Sequence, residues 1–379
     1  MHTTRYLIVG AGMTGDMAAK AIREHDPQGA VTLVGDDPHP PYKRPLLTKG
    51  LWRGAPEEKV WRQPAEGVEL RTGRRIVSLD LAEHRAADDA GEEYAWEKLL
   101  LATGARPRTI PGADGVIWFR TLDDYRSLRA RATAGAHLAV VGGGFVGSEL
   151  AAGLVGAGCR VTMIFPEPGI AFRLFPGALS GFVTDYYREK GVDVLAGETV
   201  AAASGSSVTL GSGRVLEADG VVAGLGVVPN TELAETAGLE VDDGIVVDEY
   251  GRVPGQEDVF AAGDVARFPV AALGTSMRIE HEDHANSHGH AVGANMAGAA
   301  TPYDHLPFFY SDLFDLGYEA VGLVDSRLAT VEQWEEPNRK GVVTYLEDGR
   351  PRGALLWNVW DKIDAARELI RAGEGALVV

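Results

Sequence analysis

Two stretches of this chain follow one plan, and that repeat constrains the fold more than any other feature. The first is "RYLIVGAGMTGDMAAKAIREHDPQGAVTLVGDD" and the second is "HLAVVGGGFVGSELAAGLVGAGCRVTMIFPE". Each reads as an apolar strand, a Gly-x-Gly-x-x-Gly turn, an Ala-rich helix, a second apolar strand and an acid at its end. In the first copy the glycines are Gly10, Gly12 and Gly15, and the acid is Asp36, 21 residues past Gly15. In the second they are Gly142, Gly144 and Gly147, with Glu167 lying 20 residues past Gly147. The first glycine makes a tight turn, the second lets backbone approach a pyrophosphate, and the third lets helix pack on strand. Met13 and Thr14, and Phe145 and Val146, fill the two positions before the last glycine and belong to the same turns. A single turn of this kind is weak evidence. Strand, helix, second strand and acid all in place, twice, is strong.

Two such units predict an α/β fold with two Rossmann-like dinucleotide-binding domains. They also predict a flavoprotein, in which one site holds FAD and the other brings the nicotinamide of NADH against it. Glu167 suits a free ribose 2′-hydroxyl and repels a 2′-phosphate, which favours NADH over NADPH; Arg173, six residues on, works against that preference. Further segments agree. "KLLLATGARPR" reads as a strand running into Thr103-Gly104, and "EDVFAAGDVARF" as a strand that sets Asp264 at a helix start. An acid there suits the sugar-alcohol chain of a flavin, or is an ordinary N-cap. "GLGVVPNTELAETAGL" closes the second unit.

With 379 residues the chain has room for two or three domains. Its formal net charge of -18 argues against a nucleic-acid partner, whose phosphates would be repelled, and leaves room for a local basic patch that docks an acidic protein. No apolar run approaches the roughly 20 residues that span a bilayer. The start "MHTTR" runs into a strand without a cleavage site, so a cytoplasmic protein with no membrane anchor is expected. The lone cysteine, Cys159, excludes an intrachain disulfide or CxxC pair and reads as a plain core thiol. Monomer and homodimer both stay open.

The two fingerprints, with "LLLATGARPR", "GVVPNTEL" and "VFAAGDVA", resemble the two-dinucleotide-binding flavoproteins of glutathione-reductase type. More narrowly, "PPYKRPLLTKGLW", "GGGFVGSELA", "IFPEPG", "EHEDHA", "FFYSDL", "GYEAVGLVDS" and "LLWNVWDKIDAARELI" resemble apoptosis-inducing factor and the oxygenase-coupled ferredoxin reductases. The resemblance runs nearly end to end. It implies a discontinuous FAD domain (1–115 and 240–300), an NAD domain (116–239) and a small C-terminal α+β domain (301–379). In that last part "ALLWNVW" reads as a strand and "DKIDAARELIRAG" as an amphipathic helix closed by Gly373.

The same resemblance implies roles for single residues. Arg44, Val77 and Arg120 match FAD contacts, Lys49 a lysine beside the flavin ring, and Glu149 the acid that pairs with that lysine. Glu280 and His281 match a pair at the ring's edge, while Gly226, Glu319 and Asn358 match residues lining the nicotinamide nucleotide. Tyr310 stands where the family usually has a tryptophan near the flavin. The family's animal regulatory insertion is missing, because "LATVEQWEEPNRKGVV" passes quickly from strand to strand.

"HPPYKRPLLTKGLW" follows directly from Asp36, so it lies where the rest of FAD must pass, with Arg44 at the pyrophosphate and Lys49 at the opening of a short helix. Lys49 and Glu149 are the candidate catalytic pair; the plain alternative is a surface ion pair worth little. His281, His284 and His288 share one helical face, which suits a metal ion or, for His284, His288 and His290, simply solvated histidines. No Ser-His-Asp constellation stands out. With no cysteine pair as outlet, electrons must leave the chain for a ferredoxin-type iron–sulfur protein, a quinone or oxygen. The alternative is a flavoprotein that responds to NADH by a lasting charge-transfer complex and recruits a protein partner.

Overall fold

The first copy of the repeat folds as its pattern requires. In the computed structural model, which describes residues 1–379, strand His2–Val9 runs parallel between Val31–Val34 and Glu93–Leu101. Val68–Arg71 extends the sheet on one side, and Val259–Ala261 pairs parallel with Glu93–Leu101 on the other. Leu7, Ile8 and Leu99–Leu101 are fully buried, as a parallel sheet covered on both faces demands. Helix Met13–His25 packs Ala18 and Ile22 onto this sheet beside Val292 and Met296 of helix Glu282–Met296. Burying a side chain such as Ile22 contributes about 1.5–3 kcal/mol. The two helices approach closely because Gly289 and Gly293 lie at their contact. A Cβ on either would come within 2.5 Å and 2.4 Å of the Thr14 and Ala18 carbonyl oxygens. These elements form one compact unit, made of Met1–Lys43, Val60–Arg106 and Val228–Pro307.

The second copy lies in a second unit, made of Arg44–Lys59, Pro107–Val227 and Phe308–Val379. Its parallel sheet runs Val192–Ala196, Arg160–Phe165, His137–Val141, Gly220–Ala223 and Ile117–Trp118. A five-stranded antiparallel sheet follows, in the order Phe308–Leu313, Leu316–Gly322, Arg350–Trp357, Lys340–Glu347 and Ala329–Glu336. Helix Ile363–Ala372 buries Ala366 and Ile370, one helical turn apart, and ends at Gly373 in the left-handed conformation, as expected. The strand read in "ALLWNVW" stops earlier, at Trp357, because Asn358 takes φ 51° and turns the chain away.

The unit edges differ from the three-domain division read in the sequence. Residues 44–59, expected with the FAD domain, belong to the second unit, because Trp52 packs on Gly153 and Tyr125 of that unit. Residues 308–379 belong there too: Phe309 meets Phe145 edge to face, and the Tyr345 hydroxyl donates to the Leu174 carbonyl at 2.8 Å.

Candidate cofactor and redox site

Both glycine turns share one geometry. Gly10 and Gly142 take φ 117° and 118°. A Cβ on them would lie 2.0 Å and 2.3 Å from the carbonyl oxygens of Ala102 and Gly224. A Cβ on Gly15 or Gly147 would strike the carbonyl oxygen of the first glycine of its own turn, at 2.1 Å and 2.0 Å. The middle glycines are different, since a Cβ on Gly12 or Gly144 would meet nothing within 4 Å. These two residues are also the N-caps of helices Met13–His25 and Phe145–Gly156, and neither makes a side-chain cap. Uncapped N–H groups at the positive end of a helix, with open space in front, fit a pyrophosphate. Met13, Thr14, Phe145 and Val146 form the first turns of these helices.

The acids after the second strands differ. Asp36 stands exposed, while its neighbour Asp37 accepts the His39 N–H at 3.0 Å and the Tyr42 hydroxyl at 2.8 Å. Glu167 is bridged by Arg173, whose Nε and Nη2 lie 3.0 Å and 2.8 Å from its Oε1.

In the second unit, Lys49 caps the 3-10 turn Gly50–Arg53, and its ammonium lies 2.7 Å from Glu149 Oε1. Glu149 rises from helix Phe145–Gly156 and is 5 % exposed, and the Lys49 side chain is 13 % exposed, so this is a largely enclosed pair rather than a surface one. The carboxylate also accepts the Ser311 hydroxyl at Oε1 and the Thr48 hydroxyl at Oε2, each at 2.5 Å. Burial lifts the Tyr187 and Tyr318 phenols well above their usual range, and the charge of Glu149 adds to both shifts. Lys49 Nζ lies 4.9 Å from the centre of the Tyr310 ring. Across the strand pair Tyr310 faces Glu319, whose buried Oε2 has no hydrogen-bond partner. Burial raises the Glu319 carboxyl above its usual value, with Asp361 adding to the effect. An orphaned buried carboxyl oxygen suits a ligand that brings a donor. Sequence reasoning missed Thr48 and Ser311. Strand alternation says only that one of Tyr310 and Ser311 turns inward, and no local signal says what it meets.

Other expected residues of this unit have structural partners. Asn358 Oδ1 accepts the Gly317 N–H at 2.8 Å and its Nδ2 donates to the Arg339 carbonyl at 2.6 Å, so its amide holds a turn. Gly226 takes φ 81° and its carbonyl accepts the Arg108 N–H at 2.9 Å. The Arg120 N–H donates to Asp124 beside a helix cap, and Arg44 opens the 3-10 turn Arg44–Leu47.

In the first unit, Asn230 ties down Thr103-Gly104. Its Nδ2 donates to the Thr103 carbonyl and its carbonyl accepts the Thr103 hydroxyl, both at 2.8 Å. Asp264 lies in the 3-10 turn Gly263–Val265, its carbonyl accepting from Arg278, which also pairs with Glu280. Val77 is exposed on strand Ile76–Asp80. His281 is the N-cap of helix Glu282–Met296, and burial pushes its imidazole down to about 4, against the opposing charges of Asp264 and Asp283. Solvated histidines are the wrong reading for His284 and His288, which are fully buried. They stack between Phe268 and Tyr303, and His288 Nδ1 accepts the Gly263 N–H at 3.2 Å. Only His290 reaches the surface, pairing with Glu24.

A family model described as pyridine nucleotide-disulphide oxidoreductase matches residues 4–289, and a C-terminal model of mitochondrion-associated apoptosis-inducing factor matches residues 292–339. The chain is 35% identical, over 98% of its length and 95% of the relative's, to a Burkholderia cepacia protein named anthranilate 1,2-dioxygenase system ferredoxin–NAD(+) reductase component. It is 33% identical to apoptosis-inducing factor 1, mitochondrial, of Dictyostelium discoideum, covering 97% of this chain and 78% of that one. A chain in the crystal structure of the covalent putidaredoxin reductase–putidaredoxin complex matches with a TM-score of 0.91 at 29% identity, covering 98% of this chain and 94% of that chain.

Proposed function

The chain belongs to the pyridine nucleotide-disulphide oxidoreductase family, and from that premise we propose that it is an FAD-dependent NADH oxidoreductase that hands electrons to a ferredoxin-type iron–sulfur protein. The observation that carries this reading is the pair of open glycine cradles in a chain whose lone cysteine, Cys159, is buried. Burial also raises that thiol's pKa, which makes it a poor nucleophile. Despite the family's name, the chain therefore has no disulfide of its own to reduce, and electrons must pass to another molecule. One relative is named for a ferredoxin, and a solved relative is captured with a protein partner.

Bound flavin would supply the chemistry, taking a hydride from NADH and releasing electrons one at a time. The protein's part is to bind and orient. Gly10, Gly12, Met13, Thr14 and Gly15 would hold the FAD pyrophosphate and Asp36 its ribose, with Arg44, Val77, Thr103, Gly104, Arg120, Asp264, Glu280, His281 and Tyr310 as further FAD contacts. Gly142, Gly144, Phe145, Val146, Gly147 and Glu167 would hold NADH, with Arg173, Gly226 and Glu319 beside it. Asn358 would act through the turn it holds. Lys49 would offer a fixed positive charge to the electron-rich ring, and Glu149 would keep that charge in place. No helix is long and apolar enough to cross a membrane; a cytoplasmic address is part of the proposal, tested by fractionation.

Stopped-flow reduction by NADH, followed by addition of ferredoxins, tests the function. Rapid reoxidation by one carrier is the expected result. The match to apoptosis-inducing factor favours a second reading, an NADH-responsive protein that recruits a partner. A long-lived charge-transfer band with slow turnover on every acceptor would choose it over the first.

A further inference from the structure

Glu149 is held by more than Lys49. Its Oε1 takes both the ammonium at 2.7 Å and the Ser311 hydroxyl at 2.5 Å, while its Oε2 takes the Thr48 hydroxyl at 2.5 Å. Thr48 has one hydrogen to give. Its contact with the Pro45 carbonyl is 3.4 Å, so the carboxylate is the better acceptor. The two hydroxyls come from opposite directions in the sequence: Thr48 directly precedes the lysine, and Ser311 lies on the strand Phe308–Leu313. Ser311 is 1 % exposed and Glu149 is 5 % exposed, so water does not substitute for the Ser311 hydroxyl, while Thr48 is half-buried.

Without these hydroxyls the carboxylate would be free to turn about its last two torsions, and a lysine has four of its own. One ion pair between two flexible side chains leaves the cation's position loosely defined. With both oxygens fixed, the ammonium has one place to sit, 4.9 Å from the centre of the Tyr310 ring. We propose that Thr48 and Ser311 are positioning residues that clamp both oxygens of Glu149 and so hold Lys49 in a single orientation beside Tyr310. The inference rests on the reading of Lys49 as the cation offered to the flavin.

The test uses the flavin-loaded full-length protein with Ser311→Ala, Thr48→Val and the double variant. Three readouts apply: the flavin midpoint potential by chemical titration, the NADH-driven reduction rate by stopped flow, and the thermal midpoint. The clamp predicts a lower potential and a reduction rate about 10-fold slower in the double variant, with the NADH concentration for half-maximal rate unchanged. Ser311→Thr alone, which keeps the hydroxyl, should match the parent in both. In a Glu149→Gln background the hydroxyl substitutions should add little, because their effect passes through Glu149. The proposal is overturned if only the thermal midpoint moves, or if the hydroxyl effects persist in full without Glu149. A parent that holds FAD but is not reduced by NADH would sink the proposed function alone. The chemical titration would still judge the clamp in that case.

Discussion

The two glycine cradles are nearly the same object, and the acids behind them do different work. Backbone angles at Gly10 and Gly142 agree within a degree, and both middle glycines face open space. In the first helix the buried acid is Asp16, which takes Arg62 at 2.5 Å and Lys20 at 2.8 Å. That acid ties a helix to the rest of its own unit. In the second helix the buried acid is Glu149, one step further along relative to its glycines, and it holds a lysine and two hydroxyls. A shift of one residue turns the carboxylate about 100° around a helix axis. The lesson is that the repeat specifies a tight turn with open space before a helix, while the residues just past it decide what else each copy does.

The sharpest way to break this comparison is to damage one cradle at a time. Gly10→Ala places a Cβ 2.0 Å from the Ala102 carbonyl oxygen and Gly142→Ala places one 2.3 Å from that of Gly224. Each should cost more than about 3 kcal/mol of local stability. Gly10→Ala should abolish FAD retention. Gly142→Ala should keep the flavin, seen by its absorbance, but lose NADH binding by titration. Identical defects from both would mean that the cradles are not separate sites.

Acid should separate the units next. Burial pushes His288 down to about 3 and His281 to about 4, and both belong to the first unit, His288 bonded to Gly263. Their folded values lie below the unfolded 6.5, so the unfolded state binds more protons as pH falls. The first unit should therefore be at full strength above about pH 6.5 and lose several kcal/mol between there and pH 3. Hydrogen exchange at falling pH should open helix Glu282–Met296 before helix Phe145–Gly156. The reverse order would count against this account.

Smaller effects probe the second unit's acids. Lys49→Met should slow flavin reduction about 100-fold with FAD retained, measured by stopped flow. Arg173→Ala frees Glu167 and should raise the NADH-to-NADPH ratio of kcat/KM about 3-fold, and Glu167→Gln should lower it about 10-fold. A ratio that moves the same way in both variants would show that the Glu167–Arg173 bridge does not set nucleotide choice.

Local chemistry explains which parts of this were legible. Both cradles could be read because a Gly-x-Gly-x-x-Gly turn needs specific residues at fixed spacing within one short stretch, and the C-terminal helix because Gly373 and its apolar spacing are local signals. Lys49 and Glu149 came through resemblance, since nothing in the spacing of residues 49 and 149 predicts contact. Ser311, Thr48 and Asn230 were invisible because their roles depend on partners far away in the chain. His284 and His288 were misjudged for the same reason: Phe268 and Tyr303, which bury them, come from other segments.

The first unit is assembled from three separated segments, and the end of strand Glu93–Leu101, at Leu99–Leu101, waits for Val259–Ala261 to cover its edge. On a ribosome adding about 5–20 residues per second, that edge stays open for roughly ten to thirty seconds. During that time the nascent chain presents unpaired backbone and a row of leucines, a template for pairing with a neighbouring chain. The first unit's parallel sheet cannot be finished until more than two thirds of the protein has been made. A nascent chain stalled at residue 250 should accordingly be cut by protease near residues 99–101, while one released at full length should not.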